Sequence, residues 1–128
     1  MAKTIIQADK APEAIGPYSQ GVKVEKAGLI FVSGQIPINP ESKELVSGSI
    51  GDETRQILVN LKAILEEAKS GLDKVVKTTV FLKNMDDFAQ MNQVYSEFFK
   101  KDPPARSTVE VSRLPKGVRI EIEAIACF

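Results

Sequence analysis

Two stretches of the chain repeat apolar residues at helical spacing. The first predicts a helix over about residues 53–70, because its apolar positions recur at steps of one and three along one stripe. Asp52 is its predicted N-cap and Gly71 its predicted C-terminal stop. The second predicts a helix over about residues 86–100, which Pro103-Pro104 ends. The two apolar stripes are Ile57, Leu58, Leu61, Ile64, Leu65 and Ala68 in the first helix, and Phe88, Met91, Tyr95, Phe98 and Phe99 in the second.

The other apolar runs are short and β-prone. Residues 18–24 and 29–32 flank Ala27-Gly28 and predict a hairpin. Residues 39–53 are rich in Asn, Pro, Ser and Gly and predict a surface loop, with a short strand at Leu45-Val46. The β-branched run 75–83 predicts a strand with apolar groups on both faces. One face would carry Val76, Val80 and Leu82, and the other Val75 and Phe81.

The last quarter of the chain predicts a second hairpin. Its strands would be residues 106–113 and 118–127, joined at Leu114-Pro115-Lys116-Gly117. A pairing of Ser112 with Arg119 would place Val111 opposite Ile120 and Val109 opposite Ile122. A slip of one residue would change that register. On the second strand one face would carry the apolar residues Val118, Ile120, Ile122, Ala124 and Ala126. The other face would carry Glu121 and Glu123, together with Thr108 and Glu110 of the first strand.

These elements predict an α+β sandwich: a mixed sheet with two helices packed on one face, as a single domain over residues 1–128. The opposite face of the sheet would then present apolar and carboxylate side chains together. Such a face is a candidate for burial by a partner. We therefore expect it to be an oligomer interface.

Composition removes several kinds of chemistry. The chain has 17 basic and 17 acidic residues, no histidine and one cysteine. Without imidazole there is no Ser-His-Asp or Cys-His pair and no histidine-bound metal, and one cysteine forms no internal disulfide. The balanced charge favours neither nucleic acid nor an anionic membrane as partner. We expect no metal and no cofactor.

The N-terminal residues lack the apolar core of a secretion signal, and no apolar run reaches the length of a membrane span. A cytoplasmic protein is therefore expected. A mitochondrial location stays open, since a leader removed earlier would leave no trace in the sequence.

Arg106 and Glu121 are the foremost candidates for chemistry. Arg106 follows a diproline, so its guanidinium would stand on a stiff support and grip a carboxylate or phosphate with two parallel hydrogen bonds. A solvated arginine or a structural ion pair is the other interpretation. Glu121 and Glu123 lie on an otherwise apolar strand, where a partly buried carboxylate could deprotonate water. Composition favours the simpler interpretation, in which they belong to an exposed strand face or are edge charges that prevent aggregation.

Three further positions are weaker candidates. Tyr18 follows Gly16-Pro17, a turn that could present the phenol at a cleft rim, although a packed tyrosine is common. Ser33-Gly34 ends a strand where backbone N–H groups could meet an anion, or where a turn needs glycine. Asn92 neighbours the apolar stripe of the second helix and could bind ligand or tether a loop.

The chain resembles the Rid family of reactive imine and enamine deaminases nearly from end to end. The resemblance rests on several distinct motifs in the family's order. They are AIGPYSQ at 14–20, SGQIP at 33–37, VVKTTVFL at 75–82, FAQMNQVYSEFF at 88–99, PARSTVEV at 104–111 and LPKGVRIEIEAIA at 114–126.

The resemblance implies a chorismate-mutase-like fold and a homotrimer in which the uncovered sheet faces are buried. It also implies hydrolysis of 2-imino acids, such as 2-iminobutanoate and 2-iminopropanoate, to 2-oxo acids and ammonia. The implied ligand is therefore a small imino or oxo acid. Two other readings remain: a non-catalytic trimer that binds a small regulatory ligand, and a translation inhibitor or endoribonuclease, for which a neutral chain without histidine is chemically poor.

The family motifs carry the site residues onto this chain. Arg106 in PARS would bind the substrate carboxylate, Glu121 in IEIEA would hold and polarise a water, and Tyr18 in GPY would complete that water's hydrogen bonds. Ser33 and Gly34 in SGQ and Asn92 in the second helix would contact substrate. Where the family often has cysteine, this chain has Thr108. A mechanism that needs a thiol there fails, although backbone groups of residues 107–108, Thr108 included, could still contact the ligand.

Overall fold

A computed structural model describes residues 2–128, which fold into a six-stranded mixed sheet and two α-helices. The strands are β1 (Lys3–Ile6), β2 (Gly21–Val24), β3 (Leu29–Gln35), β4 (Val75–Leu82), β5 (Ala105–Glu110) and β6 (Ile120–Cys127), and the helices are α1 (Ile50–Glu67) and α2 (Phe88–Phe98). The sheet order is β1-β2-β3-β6-β4-β5. Only β4 and β5 pair in parallel; every other neighbouring pair is antiparallel. The predicted α+β class is confirmed.

Helix α1 carries the predicted apolar stripe but begins earlier than predicted. All six stripe residues are buried against the sheet. Ser49, not Asp52, is the N-cap: its hydroxyl accepts from the Asp52 N–H at 3.0 Å, and the Asp52 carboxylate accepts from the Ser49 N–H at 3.2 Å. At the other end the helix stops before the predicted Gly71, and Lys69 takes the left-handed conformation there, with φ of 65°.

Helix α2 is shorter than its pattern predicted, because Met85–Asp87 before it form a separate 3₁₀ turn that the Asn84 side chain caps. Its predicted stripe is confirmed: Met91, Tyr95 and Phe99 are buried, and Phe88 and Phe98 pack against the same core. In the part of the chain that the structure describes, no helix is long and apolar enough to cross a bilayer.

The first hairpin is confirmed as β2 and β3. Gly28 turns the chain with φ of 67°, and its N–H donates to the Val24 carbonyl at 3.0 Å. Residues 18–20 precede the strand rather than belonging to it. Leu45 makes only an isolated bridge with Ile38, so the short strand expected in the long loop is reduced to one pair.

The prediction of a second hairpin is wrong. β5 does not pair with β6; it adds in parallel to β4 at the edge of the sheet, with Arg106 opposite Thr78. β6 instead inserts between β3 and β4, with Ile122 opposite Val80. The reason is that β4, α2 and β5 form a βαβ unit, whose crossover helix packs on the sheet and forces parallel pairing.

Each face of the sheet follows from these pairings. Ile120, Ile122 and Ala124 lie under the helices, as predicted. Thr108 and Glu110 share that face and not the face of Glu121 and Glu123, because β5 pairs with β4. A register shift between Val75 and Lys77 also exchanges two predicted positions, so that Val75 is buried and Val76 is exposed. Opposite the helices, the sheet leaves large apolar side chains exposed: Ile5 (52%), Phe31 (43%) and Val109 (41%).

Candidate functional site

An open cleft of about 900 Å³ lies at the end of the sheet where β3 finishes and β6 begins. Tyr18, Ser33, Gly34 and Glu121 line it, so the structure brings four of the predicted site residues together. The segment of residues 7–15, hereafter the strap, contributes much of the cleft's wall. The lining combines apolar surface with many polar and charged groups, and a cleft of this size can hold a small ligand.

Glu121 is the half-buried acid of this cleft. Burial of the carboxylate raises its pKa, and the neighbouring charge of Glu123 adds to the effect. Its side chain lies directly against Gly34, where a Cβ would stand 2.9 Å from the carboxyl carbon. Gly34 therefore provides the space that the Glu121 side chain occupies, which explains why glycine is needed in the SGQ motif.

Two hydroxyls accompany the carboxylate. The Ser33 hydroxyl donates to the Ser19 carbonyl at 2.6 Å, which leaves its oxygen lone pairs to accept from a ligand. Tyr18 is 50% exposed, and its N–H donates to the Gly16 carbonyl at 2.8 Å in a tight turn. The turn thus presents the phenol at the rim of the cleft, as the sequence predicted.

The other charges along the cleft are mixed in sign. Asp9 and Glu13 on the strap face the same space as Lys43 and Lys116. Across residues 2–128, no three Cys, Asp or Glu side chains converge in a way that could hold a metal ion. Asp9 and Glu13 are exposed, whereas Glu121 is half-buried with a raised pKa, so Glu121 is the candidate acid–base group of the cleft.

Arg106 belongs to a second group, at the sheet edge beneath α2. Its guanidinium carbon lies 4.7 Å from the Tyr95 ring centre and 5.4 Å from that of Phe88. Its Nη1 donates to the Asn92 Oδ1 at 2.8 Å. Within residues 2–128, no carboxylate lies within 4.0 Å of the guanidinium. The aromatic rings and Asn92 orient the guanidinium of Arg106, and its remaining N–H groups can donate hydrogen bonds to an anionic ligand.

The two groups lie on opposite faces of the sheet. Arg106 pairs with Thr78 on β4, whereas Glu121 pairs with Phe81 on the same strand. Thr78 and Phe81 are three residues apart, so their side chains point to opposite faces. The Thr78 hydroxyl confirms this, because it hydrogen-bonds the Tyr95 hydroxyl of α2 at 2.7 Å. One chain therefore does not bring Arg106, Asn92 and Thr108 to the cleft of Glu121.

Thr108 carries a buried hydroxyl, and within residues 2–128 its Oγ1 has no hydrogen-bond partner. A buried hydroxyl without a partner costs the desolvation of that group, so its removal should stabilise the fold. We expect Thr108→Val to raise the free energy of unfolding by about 0.5–2 kcal/mol in urea titrations. The control is Thr78→Val, which removes a buried hydroxyl that is hydrogen-bonded and should destabilise. A loss of stability in Thr108→Val would show that its hydroxyl is bonded after all.

Sequence reasoning missed two residues that hold the cleft in shape. Gln20 is buried and bonds the strap with its side-chain amide. Arg119 donates from Nε to the buried Glu53 carboxylate at 2.8 Å and from Nη2 to the Gly48 carbonyl at 2.7 Å. This contact ties the start of β6, two residues before Glu121, to the start of α1. A signal for Gln20 existed, since it stands inside AIGPYSQ, directly before the strand β2.

The fold and the cleft together define a small α+β protein with two helices on one sheet face and a carboxylate-bearing cleft at the sheet end. The model of the Endoribonuclease L-PSP family matches residues 8–128. The chain belongs to this family, which includes the Rid and RutC proteins. The resemblance to the Rid family that the sequence motifs indicated is confirmed.

Relatives match over almost the whole chain. A RutC family protein of Pyrococcus abyssi is 59% identical over 126 residues, covering 98% of both proteins. The human 2-iminobutanoate/2-iminopropanoate deaminase is 47% identical over 126 residues, covering 98% of this chain and 90% of the human protein.

Solved structures give the same result. The Rid family protein YyfA of Yersinia pestis superimposes with a TM-score of 0.93 at 49% identity, covering 99% of this chain and 100% of that one. TdcF of E. coli, solved with bound serine, gives 0.91 at 44% identity and 98% coverage of both chains. The predicted arrangement of two helices on one face of a mixed sheet is therefore the arrangement of this family.

Proposed function

We propose that the protein is a cofactor-independent imine and enamine deaminase that hydrolyses 2-imino acids, such as 2-iminobutanoate and 2-iminopropanoate, to 2-oxo acids and ammonia. The observation that carries this proposal is the half-buried Glu121 with its raised pKa, seated in an open cleft beside Tyr18 and Ser33. The human relative, 47% identical, is named for this activity.

The proposal includes a homotrimer of the chorismate-mutase-like type, in which the uncovered sheet face is buried. Its support is the separation of the two residue groups: Arg106 and Glu121 cannot act on one small molecule from opposite faces of the same sheet. The exposed apolar side chains of that face, Phe31 and Val109 among them, supply the surface for such contacts. A neighbouring subunit would bring its Arg106 to the cleft that holds Glu121.

Arg106 would bind the carboxylate of the imino acid. A planar guanidinium forms two parallel hydrogen bonds to a carboxylate, and this fixes the adjacent imine carbon in one position. Asn92 keeps the guanidinium in its plane through the 2.8 Å hydrogen bond, and Tyr95 supports its face. In this account Asn92 acts by orienting Arg106.

Glu121 would act as general base and then as general acid. Its carboxylate takes a proton from a water as the water oxygen bonds to the imine carbon, and it passes that proton to the imine nitrogen, which gives a carbinolamine. Glu121 then takes the hydroxyl proton of the carbinolamine and delivers it to the amine nitrogen as the C–N bond breaks, so that ammonia leaves, a 2-oxo acid remains and the carboxylate is regenerated. Tyr18 would complete the hydrogen bonds of the attacking water. A raised pKa suits this role, because a base is most effective when its pKa lies near the working pH.

Gly34→Ala tests whether the contact between Gly34 and the Glu121 side chain matters for activity. The added methyl would displace the carboxylate, and because the displaced atoms end a flexible side chain, the fold should persist. We expect kcat to fall about tenfold or more, since small displacements of a reacting group cost this much. Steady-state kinetics and thermal unfolding of the variant give both quantities. Wild-type kcat in a folded variant would contradict the placement of Glu121 against Gly34 as a functional feature.

The rate of 2-oxobutanoate release from freshly generated 2-iminobutanoate tests the proposed function. The wild type should exceed the rate in buffer alone in proportion to its concentration. No acceleration, together with saturable binding of 2-oxobutanoate, would make the protein a ligand-binding module instead. The family description also names an endoribonuclease. A chain without histidine and with 17 charges of each sign offers that reaction neither an imidazole nor a basic excess.

A further inference from the structure

We propose that Gln20 is a positioning residue for this reaction: its side chain fixes the strap and so holds the cleft wall and the Tyr18 turn in the geometry the chemistry needs. The inference rests on the proposed deaminase function, but its structural half can be measured separately. Gln20 is 4% exposed and touches the cleft from behind.

The side chain of Gln20 uses both ends of its amide on the strap. Its Oε1 accepts from the Ala8 N–H at 2.6 Å. Its Nε2 donates to the Pro12 carbonyl at 2.6 Å and reaches the carbonyls of Ala8 and Ala11 at 3.2 and 3.4 Å. The strap belongs to no strand, because β1 ends at Ile6. One buried side chain thus supplies hydrogen bonds that a sheet ladder would otherwise provide.

The main chain beside Gln20 is tied to the floor of the cleft. The Gln20 carbonyl accepts from the Ser33 N–H at 2.9 Å, and the Ser19 carbonyl accepts from the Ser33 hydroxyl at 2.6 Å. Ser33 precedes Gly34, on which Glu121 rests. Gln20 therefore joins the strap, the Tyr18–Ser19 turn and the seat of Glu121 in one hydrogen-bonded unit.

Gln20→Glu is the sharpest variant, because it preserves the size of the side chain and replaces the amide donor with a carboxylate oxygen. A carboxylate would face the carbonyl oxygens of Ala8, Ala11 and Pro12, so the strap should detach while the sheet remains folded. Leu65→Ala is the matched control: it removes buried core packing in α1, at a residue that does not line the cleft. Hydrogen–deuterium exchange of residues 7–15 and steady-state kinetics on 2-iminobutanoate are measured for both variants well below their unfolding temperatures.

In Gln20→Glu we expect faster exchange in the strap and a kcat lowered about tenfold or more, with KM changed less than about threefold because Arg106 is untouched. Leu65→Ala should keep the wild-type kcat and the wild-type strap exchange. Faster strap exchange with an unchanged kcat would overturn the positioning role, as would an equal loss of kcat in Leu65→Ala. Unchanged hydrogen–deuterium exchange of the strap in Gln20→Glu would contradict the claim that Gln20 holds the strap in place. A wild type without activity would refute the deaminase instead, a result read independently of either variant.

Discussion

Arg106→Lys is expected to lower kcat/KM for 2-iminobutanoate by about 30- to 100-fold, the value of a charge-assisted bidentate contact. Lysine keeps the positive charge but lacks the planar fork, and it cannot both hold Asn92 and present two parallel donors to a carboxylate. The loss should be larger in KM than in kcat, since the carboxylate is bound in the ground state as well as in the transition state.

Arg113→Lys is the matched control, because Arg113 is exposed in the loop after β5. The same change there should leave both constants at their wild-type values. Size-exclusion chromatography and thermal unfolding should show that Arg106→Lys keeps the fold and the assembly. A folded Arg106→Lys variant with wild-type kcat/KM would contradict the proposed binding of the substrate carboxylate by Arg106.

Glu121→Gln is expected to lower kcat by about 10²- to 10⁴-fold, which is the usual contribution of a general acid–base group. The amide preserves the size of the side chain and its fit against Gly34, but it cannot take a proton from water. Glu123→Gln, on the exposed neighbour two residues along β6, is the control and should change kcat far less, because it removes only the smaller contribution to the raised pKa of Glu121. An active Glu121→Gln variant would contradict the role of this carboxylate.

The raised pKa of Glu121 also contributes to how stability depends on pH. Because burial disfavours the ionised form, the folded protein holds this proton to higher pH than the unfolded chain does. The wild type should therefore lose stability as pH rises from the ordinary glutamate range through the raised pKa. Glu121→Gln should be more stable than wild type above that window and equal to it below. Urea unfolding at neutral and at acidic pH measures the difference, and a gain independent of pH would contradict this account.

The sequence predicted the elements of this fold better than their pairing. Helices α1 and α2 depend on local periodicity, so their apolar stripes were found residue by residue. The pairing of β5 depends on where α2 carries the chain, a non-local outcome that adjacency of two strand-like runs does not reveal. Val75 and Val76 exchanged faces for a similar reason, because a register shift has no signature in an alternating pattern.

The motifs name candidate residues for the site but do not indicate their geometry. Tyr18, Glu121 and Arg106 were identified from motifs, yet only the strand register separates them into two groups. Asn92 was expected to contact ligand or backbone, and its actual partner is the Arg106 guanidinium. Gln20 was missed because a buried amide is recognised by the carbonyls around it, which the sequence places 8 to 12 residues away.

Mixing two impaired variants tests the central claim most directly: that Arg106 of one subunit and Glu121 of another form a single imine-hydrolysing site. Arg106→Lys and Glu121→Gln are refolded separately and together at equal concentrations, and the release of 2-oxobutanoate is measured at a 2-iminobutanoate concentration well below the wild-type KM, where both variants are slow. Random assembly in a closed ring should give about a quarter of clefts both native residues, so the mixture should recover about a quarter of the wild-type rate. A mixture no faster than the mean of the two variants alone would contradict the shared site.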